Sequence, residues 1–511
     1  MIRPESYARR FVKGSATIFT MFVIATMVGL LLRMFLARRL SFEEFGLFWA
    51  VFPFVTFFCF FREWGTGPAL TKHVSEFITR NQAHKVGPSV AITLLAQAIP
   101  ALLIASALFI LSDWIAITLF KTAGAALLIK VLSLWFFTTA FSSVFHIIFQ
   151  GLQRPVSYAL IELLHVSSVF LLCVFFIHTL GLGIVGVPLA YVTTSITVAF
   201  VGIALLRIKH PWIFERKISF PKPIAKKLLV FALFIFLAGV VGALMGYVDI
   251  FMLTVFRSTD EVGLYQVALP MAHILWGIVG AMTFVFFPMV SELWAKRERK
   301  LLGQALHLLV KFSLVLIIPG VLIFLAFPEV AISSLFTTKY LPAILALQIL
   351  SIATIAQSLQ AILGAAALGI GRPIIYTKVV ACMTCLNVIG NLLLIPPYGI
   401  GGAAFATLLA HTAGLLLITH LVRKHIEFAP PYSAAFKASV GGVLTLFLVL
   451  LLKSFIPLPL WPKLFVVVIP SLVFYTIWVL VTKALTKDDL KVVRNVVPIP
   501  KWLIKAVSKL T

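Results

Sequence analysis

The feature that most constrains this chain is a recurring run of apolar residues, broken each time by a short polar loop. Inside a bilayer no water satisfies backbone N–H and C=O groups, so a run of about 20 apolar residues must close its hydrogen bonds internally as a helix. Fourteen such spans are read, at 14–36, 45–61, 88–111, 126–148, 156–178, 183–206, 228–248, 262–287, 303–327, 342–367, 374–395, 400–421, 434–452 and 464–482. The segment 112–125 between the third and fourth is the weakest part of this reading. The expected fold is an all-α polytopic membrane protein. Composition agrees: 61% of the residues are hydrophobic and 12% charged, where a soluble domain carries about a quarter charged.

The net charge of +25 raises the possibility of nucleic acid, and its distribution argues against it. Fourteen spans put the N-terminus, the even-numbered loops and the C-terminus on one side. That side, with the span ends that reach it, collects 32 Lys and Arg against 9 acids, and the opposite side 7 against 6. This asymmetry is the positive-inside rule and places both termini in the cytoplasm, with the chain in the cell membrane. A nucleic-acid surface would gather its bases on one domain among stacking aromatics; here they are spread over loops. Arg3, Arg9, Arg10 and Lys13 precede an apolar run too long for a signal-peptide core, so that run reads as the first span. All four cysteines fall in spans. Cys382 and Cys385 form a C-x-x-C without further ligands nearby in sequence, and read as small buried hydrophobes.

Internal repetition is the next signal. Ser41-Phe42-Glu43-Glu44-Phe45-Gly46-Leu47-Phe48 returns as Ser258-Thr259-Asp260-Glu261-Val262-Gly263-Leu264-Tyr265. Val74-Ser75-Glu76 returns as Val290-Ser291-Glu292, Gly151-Leu152-Gln153-Arg154-Pro155 as Gly369-Ile370-Gly371-Arg372-Pro373, and Gly183-Ile184-Val185-Gly186 as Gly399-Ile400-Gly401-Gly402. The offset stays between 216 and 218. The expected layout is an N-terminal six-helix lobe (1–210), a cytoplasmic linker (211–227), a second six-helix lobe (228–426), two further spans (427–482) and a cytoplasmic tail (483–511). Six is even, so the lobes are parallel repeats, and alternating access places substrate at their interface. In the tail, Thr486-Lys487-Asp488-Asp489 reads as a capped helix start. Lys501, Lys505 and Lys509 fall on one face of a segment whose other face carries Trp502, Leu503, Ala506 and Leu510, as in a helix lying on the inner leaflet.

Soluble-enzyme signatures are missing from the sequence. No G-x-x-x-x-G-K-[ST] occurs, so no P-loop for ATP is read, and the G-x-G pairs lack strand context. Glu162-x-x-His165 matches half of a di-metal carboxylate site, but the aligned stretch around Val380 and Met383 is apolar, so no metal and no cofactor are expected. Five ionisable residues are assigned to the spans: Arg33, Lys130, Glu162, Asp249 and Lys311. Such charges are costly and usually face a cavity or a partner. Lys130 and Lys311, near span ends, are read as snorkelling to an interface. Glu162 and His165, one turn apart, are either a proton-coupling pair or a polar patch between helices.

Ordered motifs along nearly the whole chain resemble the polysaccharide-biosynthesis (Wzx-type) flippases of the multidrug/oligosaccharidyl-lipid/polysaccharide (MOP) exporter superfamily. They are Leu36-Ala37-Arg38-Arg39-Leu40-Ser41 with Phe45-Gly46-Leu47-Phe48, the loop Gly65-Thr66-Gly67-Pro68-Ala69-Leu70, the stretch from Asn387 through Asn391 and Pro396-Pro397-Tyr398-Gly399 to Ala404, and Leu485-Thr486-Lys487-Asp488-Asp489-Leu490. Arg62-Glu63-Trp64 stands where many relatives place an acid directly before the glycine loop. The resemblance implies a non-enzymatic flippase for lipid-linked oligosaccharide on a polyprenyl or dolichyl phosphate or diphosphate carrier. It would work among membrane lipids and in concert with glycosyltransferases or a polymerase. A cation-coupled drug exporter of the same superfamily is the alternative, and would want an acidic cleft. In the resembled family the first helix of each lobe lines the central cleft. Arg33 and Asp249 occupy nearly matching places on those helices, so either Arg33 meets a phosphate through its planar fork or the two form a structural pair. Arg62, closing the second span with Glu63, is a further candidate at the cytoplasmic side, with an interfacial ion pair as the competing reading.

Overall fold

A computed structural model describes residues 4–214, 220–486 and 489. Each of the fourteen apolar segments lies on a helix, and no strand occurs among the described residues. The helices are α1 (Pro4–Arg39), α2 (Phe42–Glu63), α3 (Thr66–Thr79), α4 (Val86–Ile110), α5 (Ser112–Thr118), α6 (Gly124–Gly151), α7 (Pro155–Val174), α8 (Gly186–Lys209), α9 (Lys222–Phe256), α10 (Thr259–Ala295), α11 (Arg299–Ala326), α12 (Pro328–Leu335), α13 (Ile344–Gly369), α14 (Pro373–Arg423), α15 (Tyr432–Phe455) and α16 (Leu460–Val481). Among the described residues, ten helical stretches are long and apolar enough to cross a membrane. The protein is an integral, multi-pass α-helical membrane protein. The weak segment 112–125 resolves into the short α5 and a turn.

Two packing units divide the chain, Met1–Gly263 and Leu264–Thr511. The first unit includes α9, which packs on α2, α3 and α4. In the first unit α6 is the hub, touching α2, α3, α4, α5, α7 and α8, while α1 packs on α7. Lipid tails are as apolar as leucine, so burial alone does not hold such helices together; close fit and buried polar links do. Phe200 and Ile208 accordingly face outward. Gly202 lets α8 approach α6 until an added Cβ would lie 2.4 Å from the Phe145 ring. Buried polar side chains stitch three helices: Gln97 donates to Thr66 Oγ1 at 2.9 Å and accepts from Ser143 Oγ at 3.3 Å.

The second unit packs α11, α13, α14, α15 and α16 around comparable close approaches. The 51-residue α14 is two helices joined across a kink at Gly399, whose φ of 54° and ψ of −132° suit glycine. Asn387 donates to Thr407 Oγ1 at 3.2 Å across that kink, and Asn391 of the same arm donates to Asn387 Oδ1 at 3.2 Å. At the end of α15, Lys453 bonds Glu329 of α12 and the Ala326 carbonyl of α11.

Local geometry recurs at the offsets of the sequence motifs. Left-handed backbone occurs at Asn81 and Arg297, at Gln153 and Gly371, and at Gly183 and Gly399. Ser41 caps α2 by accepting from Glu44 N–H at 3.1 Å, and Ser258 accepts from Glu261 N–H at 3.3 Å. A Cβ on Gly151 would crowd Val74, and one on Gly369 would crowd Val290. Both α7 and α14 start on a proline, where the missing N–H costs nothing.

Two tail readings meet different fates. The Thr486 cap is present: its N–H donates to Asp489 Oδ2 at 2.7 Å and its Oγ1 accepts from Asp489 N–H at 3.3 Å. The amphipathic stretch 501–510 lies outside the described residues, as do 215–219 of the linker.

Candidate functional site

The loop between α2 and α3 is built by the residues quoted as a motif. Trp64 and Gly65 both take positive φ, and a Cβ at Gly65 would lie 2.1 Å from the Ala232 carbonyl oxygen. The Trp64 indole donates to the Ala96 carbonyl at 3.0 Å, locking the turn onto α4. Arg62, immediately before it, is 1% exposed. Its Nη1 donates to the Phe136 carbonyl at 3.0 Å and its Nη2 to Glu63 Oε1 at 2.8 Å. Its guanidinium is enclosed and clamps α2 to α6, the arrangement of the ion-pair reading.

Arg33 sits differently. It is half-buried on α1, its guanidinium 3.9 Å from the centre of the Trp49 ring. Trp49 belongs to an aromatic cluster with Phe48, Phe52, Trp135 and Tyr191, whose ring centres lie 4.8–6.3 Å apart. A cation over an indole face is stabilised by about 0.5–2 kcal/mol and keeps its in-plane fork geometry. The indole N–H groups of Trp49 and Trp135 are buried without a hydrogen-bond partner. Asp249, also half-buried, lies on α9 between Tyr247 and Phe251, two rings that pack on Phe57 of α2. Arg33 and Asp249 are each engaged by neighbouring groups.

Glu162 and His165 lie on one face of α7, and the structure adds a residue that the sequence reading passed over. His146 of α6 places Nε2 3.0 Å from Glu162 Oε2. One ligand atom from each of His146, Glu162 and His165 falls within 4.8 Å of the others. Tyr158, one turn before Glu162, has its ring centre 5.9 Å from that of His146. A histidine inside an assigned span is itself an intramembrane titratable group, so widening the search from Lys, Arg, Asp and Glu to His would have found it.

The two lysines read as snorkelling also diverge. Lys130 reaches Asp113 of α5 at 2.9 Å in an exposed pair. Lys311 does not snorkel: it is buried and donates to Asp489 Oδ2 at 2.5 Å, tying α11 to the segment beyond α16. A buried ammonium needs such a partner. Outside the spans, Glu76 of α3 accepts from Lys227 at 3.0 Å, with His73 at 3.1 Å and Arg80 at 3.2 Å. The Lys227 hydrogen bond foremost, with that of His73, holds the Glu76 carboxyl below the usual carboxylate range.

Comparison with known proteins bears on the family and the fold. The chain is 28% identical over 418 residues to the uncharacterized membrane protein MJ1068 of Methanocaldococcus jannaschii, covering 80% of this chain and 82% of that protein. It is 23% identical over 275 residues to the probable low-salt glycan biosynthesis flippase Agl15 of Haloferax volcanii, covering 54% of this chain and 58% of that protein. Its fold matches the inward closed conformation of the lipid II flippase MurJ with a TM-score of 0.74 at 16% identity, over 90% of this chain and 97% of that one. The sequence profile of the polysaccharide biosynthesis protein family matches residues 11–294. With more than half of its length in that match, the chain belongs to the polysaccharide biosynthesis protein family.

Proposed function

We propose that this protein is a flippase for lipid-linked oligosaccharide, moving a glycan on a polyprenyl or dolichyl phosphate or diphosphate across the membrane by alternating access. Family membership carries the reading, supported by the flippase name of the Agl15 relative. The chain crosses fourteen times with both termini in the cytoplasm, as parallel six-helix repeats at 1–210 and 228–426, a linker at 211–227, two added spans at 427–482 and a tail at 483–511. The positive-inside asymmetry supports the orientation, and the recurrence of caps, left-handed positions and Gly–Val contacts supports the repeat. The protein is a transporter, not an enzyme, and acts alongside glycosyltransferases or a polymerase.

Within it, Arg33 is the phosphate contact. Stacking on Trp49 fixes the guanidinium plane at low conformational cost, and phosphate is read by the edge of that plane. Asp249 is the second candidate in the cleft. Glu162 and His165 are the ion-coupling candidates, because a transporter without a P-loop draws on a gradient rather than on its own ATP hydrolysis. Flipping of a lipid-linked oligosaccharide in proteoliposomes tests the assignment. Arg33→Ala abolishes it with thermal stability retained, and Arg33→Lys restores part, since an ammonium stacks but lacks the fork. Full transport by Arg33→Ala removes the phosphate role. If the double change Arg33→Ala/Asp249→Ala restores what each single change loses, the two residues serve only each other.

A further inference from the structure

We propose that His146, Glu162 and His165 form a binding site for one divalent transition-metal ion of the zinc type, clamping α6 to α7. The proposal does not depend on what the protein transports.

Three observations carry it. First, the donor set comes from two helices by a simple geometric rule. Glu162 and His165 are three residues apart on α7 and share a face. The short turn at 152–154 folds α7 back along α6 and brings His146 opposite them. Second, the spacing approaches that of a coordination sphere. Metal–ligand bonds of about 2.0–2.1 Å at tetrahedral angles put donor atoms roughly 3.4 Å apart. Here one pair stands at 3.0 Å and all three donors lie within 4.8 Å, so side-chain rotation of about an ångström completes the set. The two imidazole centres are 6.2 Å apart with their planes at 68°, so the rings do not stack on each other.

Third, the cluster carries a charge inside a span: Glu162 Oε2 lies 3.0 Å from the buried ring nitrogen Nε2 of His146. A divalent ion would also neutralise the Glu162 charge that the membrane span otherwise has to carry.

Chemistry selects the ion. Two imidazoles and one carboxylate are borderline donors that suit zinc, cobalt or nickel over the hard ions calcium and magnesium, which want an all-oxygen shell. Three protein ligands leave the fourth tetrahedral position open. His146 and Glu162 keep 19% and 28% of their side chains exposed, so an ion has access.

The test uses the purified full-length chain in detergent, with Co2+ as a spectroscopic probe and Zn2+ as the competitor. Wild type is expected to give the visible bands of tetrahedral Co2+ at one equivalent, displaced by Zn2+, and Zn2+ is expected to raise its unfolding midpoint. His146→Ala, Glu162→Gln and His165→Ala should each weaken binding by about tenfold or more and lose the Zn2+-dependent rise. His146→Asn and His165→Asn keep a polar side chain while removing the imidazole ligand, and with Glu162→Gln decide the matter if an alanine variant aggregates. Two outcomes overturn the site: a Co2+ spectrum of the hydrated ion in wild type, or binding that is equal in wild type and all variants. A thiolate-to-cobalt band, which would trace to Cys382 and Cys385, also counts against it. Flipping is measured separately, so loss of the flippase reading leaves this result standing and the reverse holds too.

Discussion

Consider the Lys311–Asp489 pair, which joins residues 178 positions apart. Their side chains are 9% and 12% exposed and meet at 2.5 Å. Removing one partner strands the other as an uncompensated charge, a loss of about 3–5 kcal/mol for a buried pair. Asp489→Asn removes the charge and keeps an acceptor for the Thr486 N–H, so it isolates the ion-pair contribution. Asp489→Ala also removes the cap and should cost about 1 kcal/mol more. Lys311→Met strands Asp489 instead. The double variant Lys311→Met/Asp489→Asn leaves neither charge behind and should fall within about 1 kcal/mol of wild type, since apolar replacement of a buried pair is often neutral. The assay is thermal unfolding of wild type and the four variants in detergent, with protease accessibility after α16 reporting local release. The pH dependence follows in sign. Burial works to raise the Asp489 carboxyl, but the Lys311 and Thr486 hydrogen bonds outweigh it and hold it below its usual range. Its stabilisation is present above the unfolded carboxylate value and is lost as pH falls through the lower folded value. Single variants within about 0.5 kcal/mol of wild type, or a double variant equal to the sum of the singles, would refute the pairing argument.

Gly263→Ala places a Cβ 2.8 Å from the Gly46 Cα, backbone that cannot rotate away; a loss of about 1–3 kcal/mol is expected by thermal unfolding, and an unchanged midpoint would contradict the close approach. Glu76→Gln should lower the unfolding midpoint at neutral pH, and the gap from wild type should close as pH falls through the depressed Glu76 value, because protonation then removes the same charge from wild type.

What the sequence by itself determined is what depends on short-range pattern. Apolar runs marked where the long helices lie, because in lipid a span has no other way to satisfy its backbone. The Thr486 cap was legible, since a cap is set within three residues. The repeat motifs contain Gly183 and Gly399, both of which take positive φ, a conformation glycine adopts without strain. Tertiary structure alone decided which charges face which partners. Arg62 and Lys311 look alike in sequence as basic residues near span ends. One is closed in by a carbonyl on α6, the other by a carboxylate beyond α16. His146 carries no motif of its own and joins Glu162 and His165 only when α7 folds back along α6. The packing of α9 on α2, α3 and α4 was equally hidden, because nothing in the apolar run of α9 names the helices it fits. Hydropathy acts on each segment independently, whereas pairing energies depend on distances between segments, and those exist only once the helices have packed.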